Sequence, residues 1–274
     1  MGHFGSLGYY LSAFIGEKIG DKENSTENIV IPEKVNFLRD STISTAITMI
    51  VFYLIAAIAA GPEYTETLSG GKNYIVFALT SALSFAVGVT IVYNGVRMIL
   101  SELIPAFQGI SQKLIPNAIP AVDCAVFFTY APNAVLIGFI SSFIGGVIGM
   151  VILGAVGAVL IIPGLVPHFF CGATAGIYGN ATGGKKGAIV GSFVNGLLLS
   201  FLPAMLLPVL GNIGFQNTTF GDFDFGVLGI LIGKSTSSIG TAGIYIIVAV
   251  LLAVLIIPSF IKTKTNVINA KDEY

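Results

Sequence analysis

The sequence is poor in charge: Lys and Arg together number 13 and Asp and Glu 14 in 274 residues, or 10%, where soluble domains carry roughly 25%. That is too little to cover a water-facing exterior, so a soluble globular protein is excluded. The two signs nearly cancel, to a net charge of −1. A protein that holds a polyanion needs clustered Lys and Arg, so nucleic acid is excluded as a partner. Only two cysteines occur, Cys124 and Cys171, both within apolar stretches. They give neither a disulfide framework nor a metal site with ligand spacing, and read as buried thiols. Trp is absent, which excludes nothing. Also missing are a phosphate-cradling glycine loop, a Ser-His-Asp set and a paired-carboxylate hydrolase site. Enzyme chemistry therefore has no residues to rest on, and no cofactor or metal is implied. The first residues lack a basic segment followed by an apolar one, so no cleavable signal peptide is expected.

What the chain has in abundance is apolar sequence, at 54%, together with 34 Gly and 11 Pro. In a membrane chain that combination points to close helix packing and broken helices. Residues 17–40 hold the densest charge and the helix-breaking Pro32, so residues 1–40 are expected to be a cytosolic segment and linker and 41–274 a transmembrane domain. Apolar runs at 42–60, 74–100, 133–162 and 240–261 are each long enough to cross a hydrocarbon core of about 30 Å. Gly61 and Pro62 stop the first run. Residues 101–116 place Leu103, Ile104, Phe107, Ile110 and Leu114 at helical intervals, as in an interfacial amphipathic helix. The pieces around Asp123 and from His168 to Asn180 are too short and polar for simple spans, and suit re-entrant or discontinuous segments. The expected fold is an all-α integral membrane bundle of this kind, patterned like one half of an inverted-repeat transporter.

Basic residues set the expected orientation. Lys18, Lys22, Lys34 and Arg39 precede the first run, Arg97 and Lys113 follow the second, and Lys262, Lys264 and Lys271 follow the last. The positive-inside rule then places both termini in the cytosol, with Lys185 and Lys186 inside and the acidic stretch at Asp222 and Asp224 outside. Both termini on one side requires an even number of crossings, and four and six both fit.

Asp123 carries the most information, because an isolated carboxylate at membrane depth is costly unless it faces a partner or a watery cavity. Substrate contact is one reading. The other is that Asp123 caps a broken half-helix or pairs with Arg97, which itself also reads as an interfacial anchor. A second candidate is the small-residue stretch 168–184, where His168, Thr174, Asn180 and Thr182 offer hydrogen bonds. His168 reads equally as a packed interfacial residue. Phe127, Phe128 and Tyr130 either line a cavity beside Asp123 or face lipid.

Five blocks occur in order along the chain: GHFGSLGYYLSAFIGEKIGDKENSTE, LRDSTISTAI, GVRMILSELIPAFQGISQKLIPNAIPAVDC, YAPNAVLIGF and IPGLVPHFFCGATAGIYGNATGG. Together they resemble the L-ascorbate permease subunit, the IIC component, of the bacterial phosphoenolpyruvate-dependent phosphotransferase system. The resemblance implies a homodimer in the cell membrane that imports L-ascorbate for phosphorylation by partner IIB and IIA components and carries no phosphoryl group itself. It also implies that His3 and Asp123 contact substrate. Phe4 stands where some members have Gln, which leaves a related sugar acid or polyol open as substrate. Members of that family are much longer, and this chain corresponds to their C-terminal part. One half of a split permease and a non-transporting fragment are therefore further expectations.

Overall fold

The computed structural model describes residues 4–29, 41–114 and 124–260, and every regular element among them is helical. In chain order these are α1 (Ser6–Ile19), a 3₁₀ turn (Thr26–Asn28), α2 (Ser41–Ala60), α3 (Pro62–Leu68) and α4 (Tyr74–Lys113). A second 3₁₀ turn (Cys124–Thr129) leads to α5 (Pro132–Ala155). The short α6 (Leu165–Pro167) passes through a π-helical turn (His168–Gly172) into α7 (Ala173–Gly211), and α8 (Phe223–Ile239) and α9 (Thr241–Phe260) follow. Among the described residues three helical stretches are long and apolar enough to cross a membrane: Tyr74–Lys113, Pro132–Ala155 and Leu165–Gly211. A fourth is added if α2 and α3, bent by 108° at Gly61, make one span. This is an all-α membrane protein.

Two boundaries differ from the sequence reading. The amphipathic stretch after Leu100 is no separate helix, because α4 runs unbroken through Pro105 to Lys113. At 1.5 Å per residue α4 is about 60 Å long, so its second half extends beyond the hydrocarbon core. The run 133–162 ends as a helix at Ala155, where Gly157 takes a left-handed φ of 68°. The amide of Ala158 then bonds Leu153 O and that of Gly157 bonds Gly154 O, the paired bonds of a glycine helix stop.

The centre of the fold is a helical hairpin. α7 is interrupted at Gly184, whose φ of 56° and ψ of −147° lie far from helical values. The chain reverses there. Ser192 Oγ donates to Gly172 O at 3.1 Å, and the backbones of Gly179 and Gly187 lie against each other, so the arms on either side of Gly184 run antiparallel. The sequence reading of a re-entrant or discontinuous piece at 168–180 falls on the first arm.

Small residues bring two further helices onto the hairpin backbone to backbone, the usual way apolar helices associate where burial from water gives no driving force. α1 lies along both arms: Ser12 Oγ donates to Ala175 O at 2.6 Å and Thr182 Oγ1 to Ala13 O at 2.7 Å, while Gly16 touches Gly183 and Gly187. α5 presents Gly138 to Gly172 and Gly176, and accepts Gly196 against Ser142 O. Ser200 Oγ donates to Gly146 O at 3.0 Å. Within residues 1–40, therefore, positions 6–19 form a helix packed on the hairpin.

The 3₁₀ turn at Thr26–Asn28 ties the hairpin tip to α5. Asn180 Oδ1 accepts the Thr26 amide at 2.8 Å, Lys185 N donates to Asn24 O at 2.8 Å, and Asp21 N donates to Gly183 O at 3.2 Å. Glu27 closes the junction, its carboxylate accepting the amides of Ala134 at 2.9 Å and Asn133 at 3.3 Å in the first turn of α5. A carboxylate on free N–H groups at the positive end of a helix contributes about 1 kcal/mol. Glu27→Ala is expected to lower stability by about that amount, read as a reduced midpoint of thermal unfolding in detergent. An unchanged midpoint would show that the cap contributes nothing.

Candidate functional site

α1 enters the fold with its first turn capped by a distant acid. The Asp224 carboxylate accepts Ser6 N and Leu7 N, each at 2.9 Å, while Asp224 N donates to Phe4 O at 3.0 Å. This clamp sets the register of Tyr9, one turn further on. Tyr9 is buried, and its ring folds back so that a Cβ on Gly5 would meet the phenol at 2.7 Å. The ring stacks on Tyr178 of the first arm, with centroids 5.7 Å apart and planes 14° apart, and Tyr178 meets Phe127 at 5.9 Å.

Polar groups from several elements gather around that phenol. Thr174 and Cys171 of the first arm lie beside it, with Cys124 within electrostatic range. Cys171 is fully buried and its thiol donates to Asp222 Oδ1 at 3.5 Å, where Asp222 stands at the entrance to α8. Thr174 spends its hydroxyl hydrogen on Phe170 O at 2.7 Å. The Tyr9 hydroxyl lies within reach of Thr174 and Cys171 but makes no hydrogen bond of good geometry with either. Neither amide atom of Asn195, which is wholly buried in the second arm against the backbone of Gly8, makes a hydrogen bond. Buried polar groups without a protein partner are costly to a fold.

The residues singled out in the sequence separate in space. His3 and Asp123 lie outside the described residues. Their chain neighbours do not: Phe4 is held by Asp224 and packs on Phe225 at 5.0 Å, and Cys124 is buried among Tyr93, Phe128 and Phe169 on the side of Tyr9. Thr174 belongs to the Tyr9 cluster. His168 instead faces α5, with Nδ1 2.9 Å from Ser142 Oγ and its ring edge-on to Phe143 at 5.7 Å. Asn180 is occupied at the hairpin tip by Ser25 and Thr26. The aromatic trio divides too. Phe128 is core, Phe127 touches Tyr178, and Tyr130 is exposed beside Arg97 in a cleft formed by α4 and the 3₁₀ turn.

Tyr9, Asn195 and Asp222 were not legible as site residues. Tyr9 and Asn195 sit within glycine-rich helical patterns that read as packing, and Asp222 reads as part of an acidic loop. The one signal was the spacing of Gly5, Gly8, Ser12 and Gly16, a small-residue stripe that marks a helix meant for close contact.

Comparison with known proteins gives two matches. The family described as "PTS system sugar-specific permease component" (EIIC-GAT) matches residues 1–224. A curated protein of Mycoplasma pneumoniae, named as an ascorbate-specific PTS system EIIC component, is 28% identical over 209 residues. The alignment covers 66% of this chain and 32% of that relative, so the chain spans about a third of its length.

Proposed function

The chain belongs to the family of sugar-specific permease components of the phosphotransferase system, and on that premise we propose that it forms part of a membrane path for L-ascorbate or a related sugar acid or polyol. The substrate is handed to a IIB partner for phosphorylation, with IIA supplying IIB. The chain itself moves substrate and performs no phosphoryl transfer. It works as a homodimer with the hairpin tip and the C-terminus on the cytosolic side. The joining of the tip carrying Lys185 and Lys186 to the segment carrying Lys18 and Lys22 supports that side for the tip, while the start of α1, bonded to Asp224, lies at the other end of that helix.

The observation that carries the reading is two buried groups without a well-formed hydrogen bond to the protein, the Tyr9 hydroxyl and the Asn195 amide. A polyhydroxylated anion offers what they lack, namely hydroxyl donors and acceptors in number. In this reading His3, Asp123 and Tyr9 bind the substrate, and Thr174 sets the position of the Tyr9 ring. His168 and Asn180 hold the hairpin to α5 and to the 3₁₀ turn.

The test is equilibrium binding of labelled L-ascorbate to the purified chain in detergent, alone and co-expressed with any product encoded just upstream. Asp123→Asn is expected to weaken binding about tenfold or more, the size of a lost hydrogen bond to a charged group. Tyr9→Phe should weaken it severalfold. Binding that is indifferent to both substitutions would remove this site.

A further inference from the structure

A cavity beside the 3₁₀ turn Cys124–Thr129 is lined by none of the residues of the Tyr9 cluster. It is a cleft of about 520 Å³ between the second half of α4 and the 3₁₀ turn Cys124–Thr129, within the range of roughly 300–1,000 Å³ usual for small-ligand sites. Its α4 wall is sorted by helical spacing. Tyr93, Val96, Leu100 and Ile104 form an apolar stripe, and Arg97, Ser101 and Gln108 a polar one beside it. The facing wall is Ala125, Val126, Thr129 and Tyr130. Among the described residues no carboxylate lines the cleft and Arg97 has no ion-pair partner.

Depth decides what the cleft meets. α4 begins at Tyr74, directly after the polar loop that closes α3, and a core of about 30 Å takes up about 20 residues of helix. The hydrocarbon therefore ends near Asn94. Tyr93 stands at that boundary, and Arg97 lies about 5 Å beyond it, at the level of lipid phosphates. The cleft thus has an apolar wall starting at the edge of the hydrocarbon and a planar cation where phosphate is found. A guanidinium pairs with phosphate through two parallel N–H···O bonds, and the exposed hydroxyl of Ser101, about 6 Å further along the helix, offers its oxygen to a headgroup hydroxyl.

We propose that this cleft is a binding site for an anionic phospholipid, with the phosphate on Arg97, the headgroup towards Ser101 and the first part of an acyl chain against Val96 and Tyr93. A zwitterionic lipid carries its own cation beside the phosphate and gains less from Arg97. A soluble anion gains nothing from the apolar wall. The site therefore selects lipid over free phosphate, and anionic lipid over zwitterionic.

The experiment uses the full chain, delipidated in detergent. Thermal unfolding is followed as phosphatidylglycerol or chain-matched phosphatidylcholine is titrated, and retained lipid is counted by native mass spectrometry. Phosphatidylglycerol is expected to raise the midpoint and to be retained, with an apparent affinity about tenfold or more below wild type in Arg97→Gln. Arg97→Lys should keep part of that affinity, and Ser101→Ala should weaken it less than Arg97→Gln does. Arg97 is exposed, so the lipid-free midpoint of Arg97→Gln should match wild type, which separates loss of the site from loss of the fold. Equal effects of the two lipids, or full affinity in Arg97→Gln, would overturn the proposal. So would an Arg97-dependent shift with inorganic phosphate or L-ascorbate as large as that with lipid, since it would identify a soluble-anion site. None of these outcomes depends on whether the chain transports ascorbate.

Discussion

Replacing Gly184 by alanine should open the hairpin tip and cost the protein much of its stability. Two effects add. The φ of 56° with ψ of −147° belongs to a backbone region that is essentially reserved for glycine, and holding another residue there costs about 1–3 kcal/mol. A Cβ at this position would also run into the carbonyl oxygens of Asp21 and Asn24, which are backbone atoms and cannot rotate away. Those carbonyls belong to the segment that bonds Lys185 N and leads into Asn180 and Glu27. Displacing them loosens α1, the hairpin and α5 together. The expected result is a large fall in the unfolding midpoint in detergent and faster trypsin cleavage at Lys185 and Lys186. Gly88→Ala is the control. A Cβ there meets nothing within 4 Å, and alanine favours the helix, so stability should hold or rise slightly. If Gly184→Ala unfolds no earlier than Gly88→Ala, the tip is not held as described.

The same residue shows how far the sequence could be read. The small-residue stretch 168–184 was visible as a break in the apolar pattern, and the runs at 74–100 and 133–162 gave two of the membrane helices, with the stop of the first run at Gly61 and Pro62. What the pattern could not show is that the interruption reverses the chain, because a hairpin and a kinked rod have the same composition and the same periodicity. Contacts far apart in sequence decide between them, such as Ser192 to Gly172 and Gly16 to Gly183. The α1 stretch also needs its long-range contacts. Its flanking charges at Glu17, Lys18 and Asp21 suggested water, whereas its inner face of Gly8, Tyr9, Ser12 and Gly16 is buried. In the site, Thr174 was legible as a polar residue among small ones. Tyr9 and Asn195 matter because they lack partners, and only the surroundings reveal that. His168 and Asn180 drew notice for the same polarity as Thr174, yet successive positions on a helix, with a π turn between, face different neighbours.

Asn195→Leu should make the protein more stable and the permease worse. Asparagine and leucine share the same branched outline, so the change removes two polar atoms with little change of shape. In this packing both atoms are buried without a hydrogen bond. A buried group left unsatisfied costs about 1–3 kcal/mol, and replacing it by an apolar group of the same form recovers much of that. The gain is reduced by the closeness of the Gly8 backbone to the amide, since a methyl needs slightly more room than a nitrogen. A net rise of about 1 kcal/mol follows, measurable as a higher unfolding midpoint. L-ascorbate binding should fall in the same variant, because the group removed is one whose hydrogen bonds are held in reserve for substrate. Opposite signs for stability and binding are the signature of a residue kept for function at a cost to the fold. Loss of stability would instead mean that the amide is satisfied in the membrane, and a stabilised variant with unchanged binding would take Asn195 out of the site.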